Sequence, residues 1–206
     1  TSSNSTKLIH GGLRYLEHYK FRLVQESLKE REVLLKMAPH IIWPMRFILP
    51  YSKGMRPAWL LRLGLFLYDH LGFRKILPGT SHVKLNKSKF GEPLKSHFKF
   101  GYEYSDCWVD DSRLVILNAV DASLRGADIQ NYCKVTKVEK SDGLWSITTT
   151  NTIDGKKNIY QTKCFINASG PWVDDILQNS FEKKNSKNVR LVRGSHIVVN
   201  KLFEHD

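Results

Sequence analysis

A chain of 206 residues makes one to two domains at about 150 residues each, long enough to bury a core without disulfides, which excludes a miniprotein or a bare linker. Apolar residues at 41% and charged residues at 25% exclude intrinsic disorder and describe an ordinary globular protein. The net charge of +12 suits an anionic partner, whether nucleic acid, an acidic lipid surface or a phosphorylated small molecule, and it serves a solvated lysine-rich surface equally well.

Cys107, Cys133 and Cys164 stand far apart in the sequence. With no CxxC pair and no even-numbered framework, they argue against a disulfide scaffold or a zinc ribbon and for a reducing compartment. The opening, Thr1 to Lys7, is polar and lacks both a cleavable signal and an initiating methionine. It is expected to be the internal start of a fragment.

From Glu17 to Ala38 the apolar residues Phe21, Val24, Leu28 and Leu35 recur at spacings of three, four and seven, with Glu32 and Lys36 paired at i,i+4; the period predicts an amphipathic helix. Pro39 cannot continue it. Pro44, Pro50, Gly54 and Pro57 then predict a turn-rich connector. Trp59 to Leu71 is apolar on nearly all sides and predicts a second helix, opened near Pro57 and closed at Gly72. It is too short to span a bilayer, which takes about 20 apolar residues. Arg46, Lys53, Arg56 and Arg62 give it a basic surround that a peripheral membrane anchor would share with a core helix.

Residues 79–96 are lysine-rich and weakly patterned. Phe98, Phe100, Tyr102 and Tyr104 then alternate with polar residues, and period two predicts a strand. Asp110 to Arg125 predicts a helix with a stripe of Leu114, Leu117, Val120 and Leu124, closed by Gly126. Asp110 and Asp111 suit the dipole at its start, so the Asp106, Asp110 and Asp111 group is assigned no metal. Ala127 to Lys140 predicts one or two short strands, and Leu144–Thr150 pairs with Asn158–Ile166 across the Asp154-Gly155 turn, giving a three-stranded meander. The apolar run Cys164-Phe165-Ile166 ends a strand and passes through Asn167, Ala168, Ser169 and Gly170 into a helix start at Pro171, an order typical of nucleotide-binding domains. Leu191 to Val199 predicts a last strand with His196 in its middle.

Chemistry concentrates at the amino end, where Ser2, Ser3, Ser5, Thr6, Lys7, His10, Gly11, Gly12, Arg14 and Tyr15 fall together. Hydroxyls and backbone N–H groups satisfy a pyrophosphate, glycines let the backbone lie against a flat ring, and an arginine offers a fork to a carboxylate or phosphate. A helix cap followed by a turn would use the same residues.

The run TSSNSTKLIHGGLRYLEHYKFRLVQESLKEREVLLKMAPH closely resembles the respiratory, quinone-linked type of FAD-dependent glycerol-3-phosphate dehydrogenase. The likeness continues through Arg56-Pro57-Ala58-Trp59, Tyr68-Asp69-His70-Leu71-Gly72, the stretch Tyr104 to Asp111, Asn167-Ala168-Ser169-Gly170-Pro171-Trp172-Val173 and Gly194-Ser195-His196-Ile197-Val198-Val199. It implies an α/β, mixed α+β fragment of a two-domain flavoprotein, holding part of the FAD-binding domain and a substrate domain on a mixed sheet. The expected division is 1–38 as an FAD-contacting motif and helix, 39–109 as a substrate-domain insertion, 110–180 as part of the FAD-binding domain, and 181–206 as a return into the substrate domain. No GxGxxG occurs in the chain, so that pyrophosphate loop is expected outside it.

The resemblance places Ser2, Ser3, Ser5, Thr6 and Lys7 around the phosphates and ribityl chain of FAD, and His10, Gly11 and Gly12 beside the isoalloxazine. Val135 resembles the position whose backbone touches the adenine, and Ala168, Ser169 and Gly170 the second cofactor-facing turn. Arg14 and Tyr15 face the substrate, and His196 is the acid/base. The implied reaction oxidises sn-glycerol 3-phosphate to dihydroxyacetone phosphate, with a histidine as base for the hydroxyl proton. Electrons pass to quinone at the inner face of the cell membrane, in a cytoplasmic, peripheral protein. An oxidase using O2 shares the short motifs. A nucleic-acid module is the reading from a different class, on the charge and the Phe98 to Tyr104 ladder, but Lys99-Phe100-Gly101-Tyr102-Glu103-Tyr104 misplaces the glycine of an RNA-recognition strand, and no nucleic-acid partner is expected.

Overall fold

The computed structural model describes residues 4–73, 75–181, 188–192 and 194–201. The chain divides into two compact units, residues 1–121 with 198–206, and residues 122–197.

In the first unit, helix α1 runs Phe21–Met37. Its stripe of Val24, Leu28 and Leu35 is buried, each side chain contributing about 1.5–3 kcal/mol by leaving water. The expected earlier start at Glu17 is replaced by a tight 3-10 helix over Leu13–His18, ended by Tyr19 in the left-handed region at φ 56. Helix α2 spans Ala58–Leu71 and buries Leu65 and Tyr68.

Between the two helices lies the main departure from the sequence reading. The expected connector around Pro44 and Pro50 is a nine-residue strand, β2, Ile42–Pro50. Strand β4, Gly101–Val109, is its partner in continuous antiparallel register from Ile42↔Val109 to Pro50↔Gly101. On the other side of β4 lie β1, Leu8–Ile9, and β3, Ser81–Val83. This leaves β2 at the sheet edge, where prolines lacking an N–H are tolerated. The strand expected over Phe98 to Tyr104 is shifted toward the carboxyl end, because its partners in β1 and β2 reach Trp108 and Val109. Its rings stack on protein rings, Phe100 on Tyr51 with centroids 4.8 Å apart and Tyr104 on Phe47 at 5.4 Å. The ladder is thereby packed internally, which removes the base-stacking premise of the nucleic-acid reading.

Two apolar clusters hold this unit. Leu35, Ile41, Ile42, Leu77, Cys107 and Val109 form one; Val24, Leu28 and Tyr68 form the other, with Leu13, Leu16, Leu71 and Tyr104 against it. Helix α3, Asp111–Leu124, begins where Asp110 Oδ1 accepts the Arg113 N–H at 3.2 Å, a side-chain cap.

The second unit carries the expected meander, β5 Cys133–Ser141, β6 Leu144–Asn151 and β7 Lys157–Thr162, antiparallel throughout. Asp142 and Gly143 both take positive φ in the two-residue turn between β5 and β6, the geometry that matches strand twist. Helix α4, Val173–Asn179, ends where Ser180 accepts the Val138 N–H at 2.8 Å. The strand expected to end at Cys164-Phe165-Ile166 stops at Thr162, and Leu191–Val199 forms no strand in its described residues. Neither run has a ladder partner among the described residues, and Ile166, Ile197 and Val198 are exposed. A strand exists only where its N–H and C=O groups are paired by a neighbour.

Candidate functional site

The amino-terminal segment is fixed to the sheet and helices of its own unit. Ser5 Oγ accepts the Lys7 N–H at 2.9 Å, a serine turn, with Lys7 in the left-handed region at φ 57. Ser5 Oγ also donates to Asp111 Oδ2, and Lys7 Nζ lies 3.0 Å from Asp111 Oδ1. The hydroxyl and the ammonium together hold the Asp111 carboxyl below the usual carboxylate range, the hydroxyl being the larger cause. Thr6 is exposed. Ser2 and Ser3 lie outside the described residues.

After β1 the chain turns through His10-Gly11-Gly12. The Gly11 N–H donates to the Tyr68 hydroxyl at 2.7 Å, and the Gly12 N–H donates to His10 Nδ1 at 2.9 Å. A ring nitrogen that accepts carries no proton, so neutral His10 is protonated at Nε2. A Cβ on Gly11 would stand 2.3 Å from Leu28 Cδ2 and 2.9 Å from Tyr68 Cε2. One on Gly12, at φ +70, would stand 2.6 Å from the Tyr15 ring. Both glycines are buried while His10 is exposed. The loop is thus a thin layer, clamped on its inner side and open at the imidazole edge.

Arg14 and Tyr15 follow on the short 3-10 helix. Arg14 is exposed, and its guanidinium meets no hydrogen-bond or ion-pair partner among the described residues. Tyr15 is half exposed and its ring packs beneath Gly12. The structure therefore brings His10, Gly11, Gly12, Arg14 and Tyr15 together by chain continuity, with Ser5 and Lys7 just beyond β1.

Beneath the loop lies a buried polar chain with no counterpart in the sequence reading. The Tyr68 hydroxyl donates to Asp106 Oδ1 at 2.8 Å, and Arg31 Nη1 donates to the same oxygen at 2.7 Å and to the Ser105 carbonyl at 2.9 Å. Arg31 and Tyr68 are each 2% exposed and Asp106 4%. Burial pushes the Asp106 carboxyl up from its ordinary range, opposed by the Tyr68 and Arg31 hydrogen bonds. Burial, then the Asp106 charge, drives the Tyr68 phenol well above its ordinary value. Tyr68 is therefore a neutral O–H at any physiological pH. The signal for this chain was a charged residue on an apolar stripe: Arg31 sits three residues from Leu28 and four from Leu35, both buried.

In the second unit, Val135 pairs with Thr149 immediately before a bulge at Thr136, and its carbonyl accepts from Ser180 Oγ at 3.4 Å. Ala168, Ser169 and Gly170 form a turn in which Asn167 Oδ1 accepts the Ser169 hydroxyl at 2.7 Å, and Asn167 Nδ2 donates to the Val173 carbonyl at 3.1 Å. Gly170 takes φ 56. His196 lies on an exposed stretch without regular structure.

The nearest carboxylates to a metal reading are engaged elsewhere: Asp106 with Arg31 and Tyr68, Asp110 as a cap, Asp111 with Ser5 and Lys7. No group of three or more His, Cys, Asp or Glu gathers among the described residues.

A family model described as FAD dependent oxidoreductase matches residues 1–206. The chain is 55% identical over 203 residues to the D-erythritol 1-phosphate dehydrogenase of Brucella abortus (strain 2308), covering 98% of this chain and 40% of that protein. It is 50% identical over 199 residues to the aerobic glycerol-3-phosphate dehydrogenase of Escherichia coli (strain K12), covering 97% and 39%. The glycerol-3-phosphate dehydrogenase of Bacillus halodurans, solved by X-ray crystallography in complex with FAD, superposes with a TM-score of 0.60 at 26% identity, over 87% of this chain and 28% of that one. The chain spans about two fifths of the length of these curated relatives.

Proposed function

The chain belongs to the FAD-dependent oxidoreductase family, and from that premise we propose that the whole protein oxidises sn-glycerol 3-phosphate to dihydroxyacetone phosphate. The observation that carries this reading is Arg14, an exposed guanidinium without a partner among the described residues, two residues beyond the glycine turn. A free, preorganised fork suits a phosphate dianion, which it meets with two parallel N–H donors. Relatives at about half identity over nearly the whole chain are glycerol-3-phosphate dehydrogenases, which supports the substrate class.

The residues present fit part of the flavin's surroundings. Gly11 and Gly12 leave no side chain on the loop, and His10 offers an Nε2–H at its open edge. His10, Gly11 and Gly12 would lie beside the isoalloxazine, with Thr6 and the Ser2 and Ser3 positions toward the ribityl and phosphate groups. Ser5 and Lys7 would take part through their backbone, since their side chains engage Asp111. Val135 and the Ala168-Ser169-Gly170 turn would serve the adenine side. When bound, FAD accepts the hydride that leaves the substrate carbon.

The chain's own residues supply the rest. Arg14 binds and orients the phosphate, Tyr15 donates a hydrogen bond beside it, and His196 takes the proton of the reacting hydroxyl. The four-part division given above, with 1–38 and 110–180 on the cofactor side, belongs to the same reading.

Quinone is the proposed acceptor, at the cytoplasmic face of the membrane. Trp59, Leu63 and Phe66, 69%, 46% and 50% exposed, line one face of α2 together with Arg62, an arrangement that suits shallow insertion among lipid headgroups. Arg46 takes no part in it, being held by Glu103 and the Gly79 carbonyl. No helix among the described residues is long and apolar enough to cross a membrane.

A second substrate has a specific observation in its favour, the 55% identity to a D-erythritol 1-phosphate dehydrogenase. Both compounds pair a phosphate with an oxidisable alcohol. Anaerobic reduction of the flavin by each polyol phosphate, compared at equal concentration, decides between them. Quinone reduction against oxygen consumption decides the acceptor.

A further inference from the structure

The two glycine N–H groups of the His10-Gly11-Gly12 loop are both spent inside the protein. Gly11 donates to the Tyr68 hydroxyl at 2.7 Å and Gly12 to His10 Nδ1 at 2.9 Å. In a trans peptide the carbonyl lies antiparallel to the following N–H, and no peptide bond among the described residues is cis. With the Gly11 N–H aimed at Tyr68, the His10 carbonyl is aimed away from it.

We infer that Tyr68, held by Asp106 and Arg31, is a positioning residue that fixes the His10–Gly11 peptide, so that the loop presents a carbonyl acceptor and the His10 Nε2–H donor to the flavin, and neither glycine N–H. The inference rests on the placement of residues 10–12 beside the flavin proposed above.

The direction of each hydrogen bond is forced. A carboxylate only accepts, so Tyr68 donates to Asp106 and has only lone pairs left for Gly11. Asp106 is in turn held by Arg31, which is anchored on the Ser105 carbonyl. The chain joins α1, β4, α2 and the loop within one unit, and every member is nine-tenths or more buried. Leu28, against which a Gly11 Cβ would collide, prevents the peptide from shifting inward. Without the phenolic oxygen, the Gly11 N–H would be buried and unpaired, and the peptide is released to turn outward.

The test uses the whole protein as wild type, Tyr68→Phe and Val24→Ala, the last in the same apolar cluster but outside the polar chain. Three quantities are read without substrate: the FAD dissociation constant by reconstitution of apoprotein, the visible circular dichroism of bound flavin, and the thermal midpoint. Tyr68→Phe is expected to weaken FAD binding on the order of tenfold, the scale of one unpaired buried donor, and to change the flavin dichroism. Val24→Ala should lower the midpoint, as for two buried methyl groups lost from the core, and leave both flavin signals within about twofold of wild type. The inference is overturned if Tyr68→Phe loses only stability, or if Val24→Ala moves the flavin signals equally. Should Tyr68→Phe not fold, Asp106→Asn is read instead: it removes the charge that holds the Tyr68 hydroxyl and is expected to move the flavin signals in the same direction by a smaller factor, and flavin signals equal to wild type overturn the inference. Wild-type flavin that binds but is reduced by neither polyol phosphate counts against the proposed reaction and leaves these three readouts intact.

Discussion

The Lys7 ammonium stands 3.0 Å from Asp111 Oδ1, while the Ser5 hydroxyl donates to the other oxygen of the same carboxylate. Two residues whose types suit a pyrophosphate are therefore engaged by the opening residue of α3. The pair joins the segment before β1 to the helix after β4, beside the backbone bond from the Val109 N–H to the Lys7 carbonyl at 2.9 Å.

The Ser5 hydroxyl first, and Lys7 after it, hold Asp111 below the usual carboxylate range. A carboxyl depressed by folding contributes stability that is present above its unfolded value of about 3.9 and is lost as pH falls through the folded value. An NMR titration of the Asp111 carboxyl is expected to give a midpoint below that of a free aspartate, and Lys7→Met should raise it. An unchanged midpoint in Lys7→Met would show that the ion pair does not form in solution.

Gly11→Ala forces a methyl to within 2.3 Å of Leu28 Cδ2 in a fully buried cluster. Overpacking of this kind costs about 1–3 kcal/mol. Denaturant unfolding should show the unfolding free energy falling by that amount, with a smaller loss when Leu28→Val is added. Additive losses in the double variant would place the strain elsewhere.

How far the sequence revealed this architecture depended on whether the determining contact was local. The stripe of Val24, Leu28 and Leu35 and the meander from Cys133 to Thr162 were legible, because period and turn chemistry lie within a few residues. Strand β2 was hidden by Pro44 and Pro50, whose cost vanishes at a sheet edge that only the pairing with β4 reveals. The Arg31, Asp106 and Tyr68 chain joins residues 38 and 75 positions apart, which no local pattern encodes. The apolar runs at Cys164–Ile166 and Leu191–Val199 carried a strand composition but find no ladder partner among the described residues. For the site, the glycine turn and Arg14 were legible as residue types, while the reason for Gly11, the Leu28 and Tyr68 side chains behind it, was not.

Arg14→Ala removes the guanidinium proposed to hold the phosphate. One lost charge-assisted contact costs about 1.5–3 kcal/mol, or roughly tenfold to a hundredfold in apparent substrate affinity. Steady-state kinetics should show KM rising by that factor with flavin content unchanged. Unaltered KM would remove Arg14 from the substrate site.

The exposed face of Trp59, Leu63 and Phe66 is expected to carry membrane attachment. Replacing all three with serine should abolish sedimentation of the whole protein with anionic lipid vesicles while the thermal midpoint stays within a few degrees, since exposed side chains contribute little to folding. Co-sedimentation at wild-type level would assign attachment to another surface.

The proposed reaction is tested most directly by anaerobic absorbance of the flavin in the whole protein on adding sn-glycerol 3-phosphate. The account predicts bleaching of the oxidised flavin band by the phosphate ester and none by glycerol, with Arg14→Ala requiring a higher concentration. Flavin that stays oxidised in the presence of sn-glycerol 3-phosphate would contradict it, and bleaching by D-erythritol 1-phosphate alone would favour the second substrate.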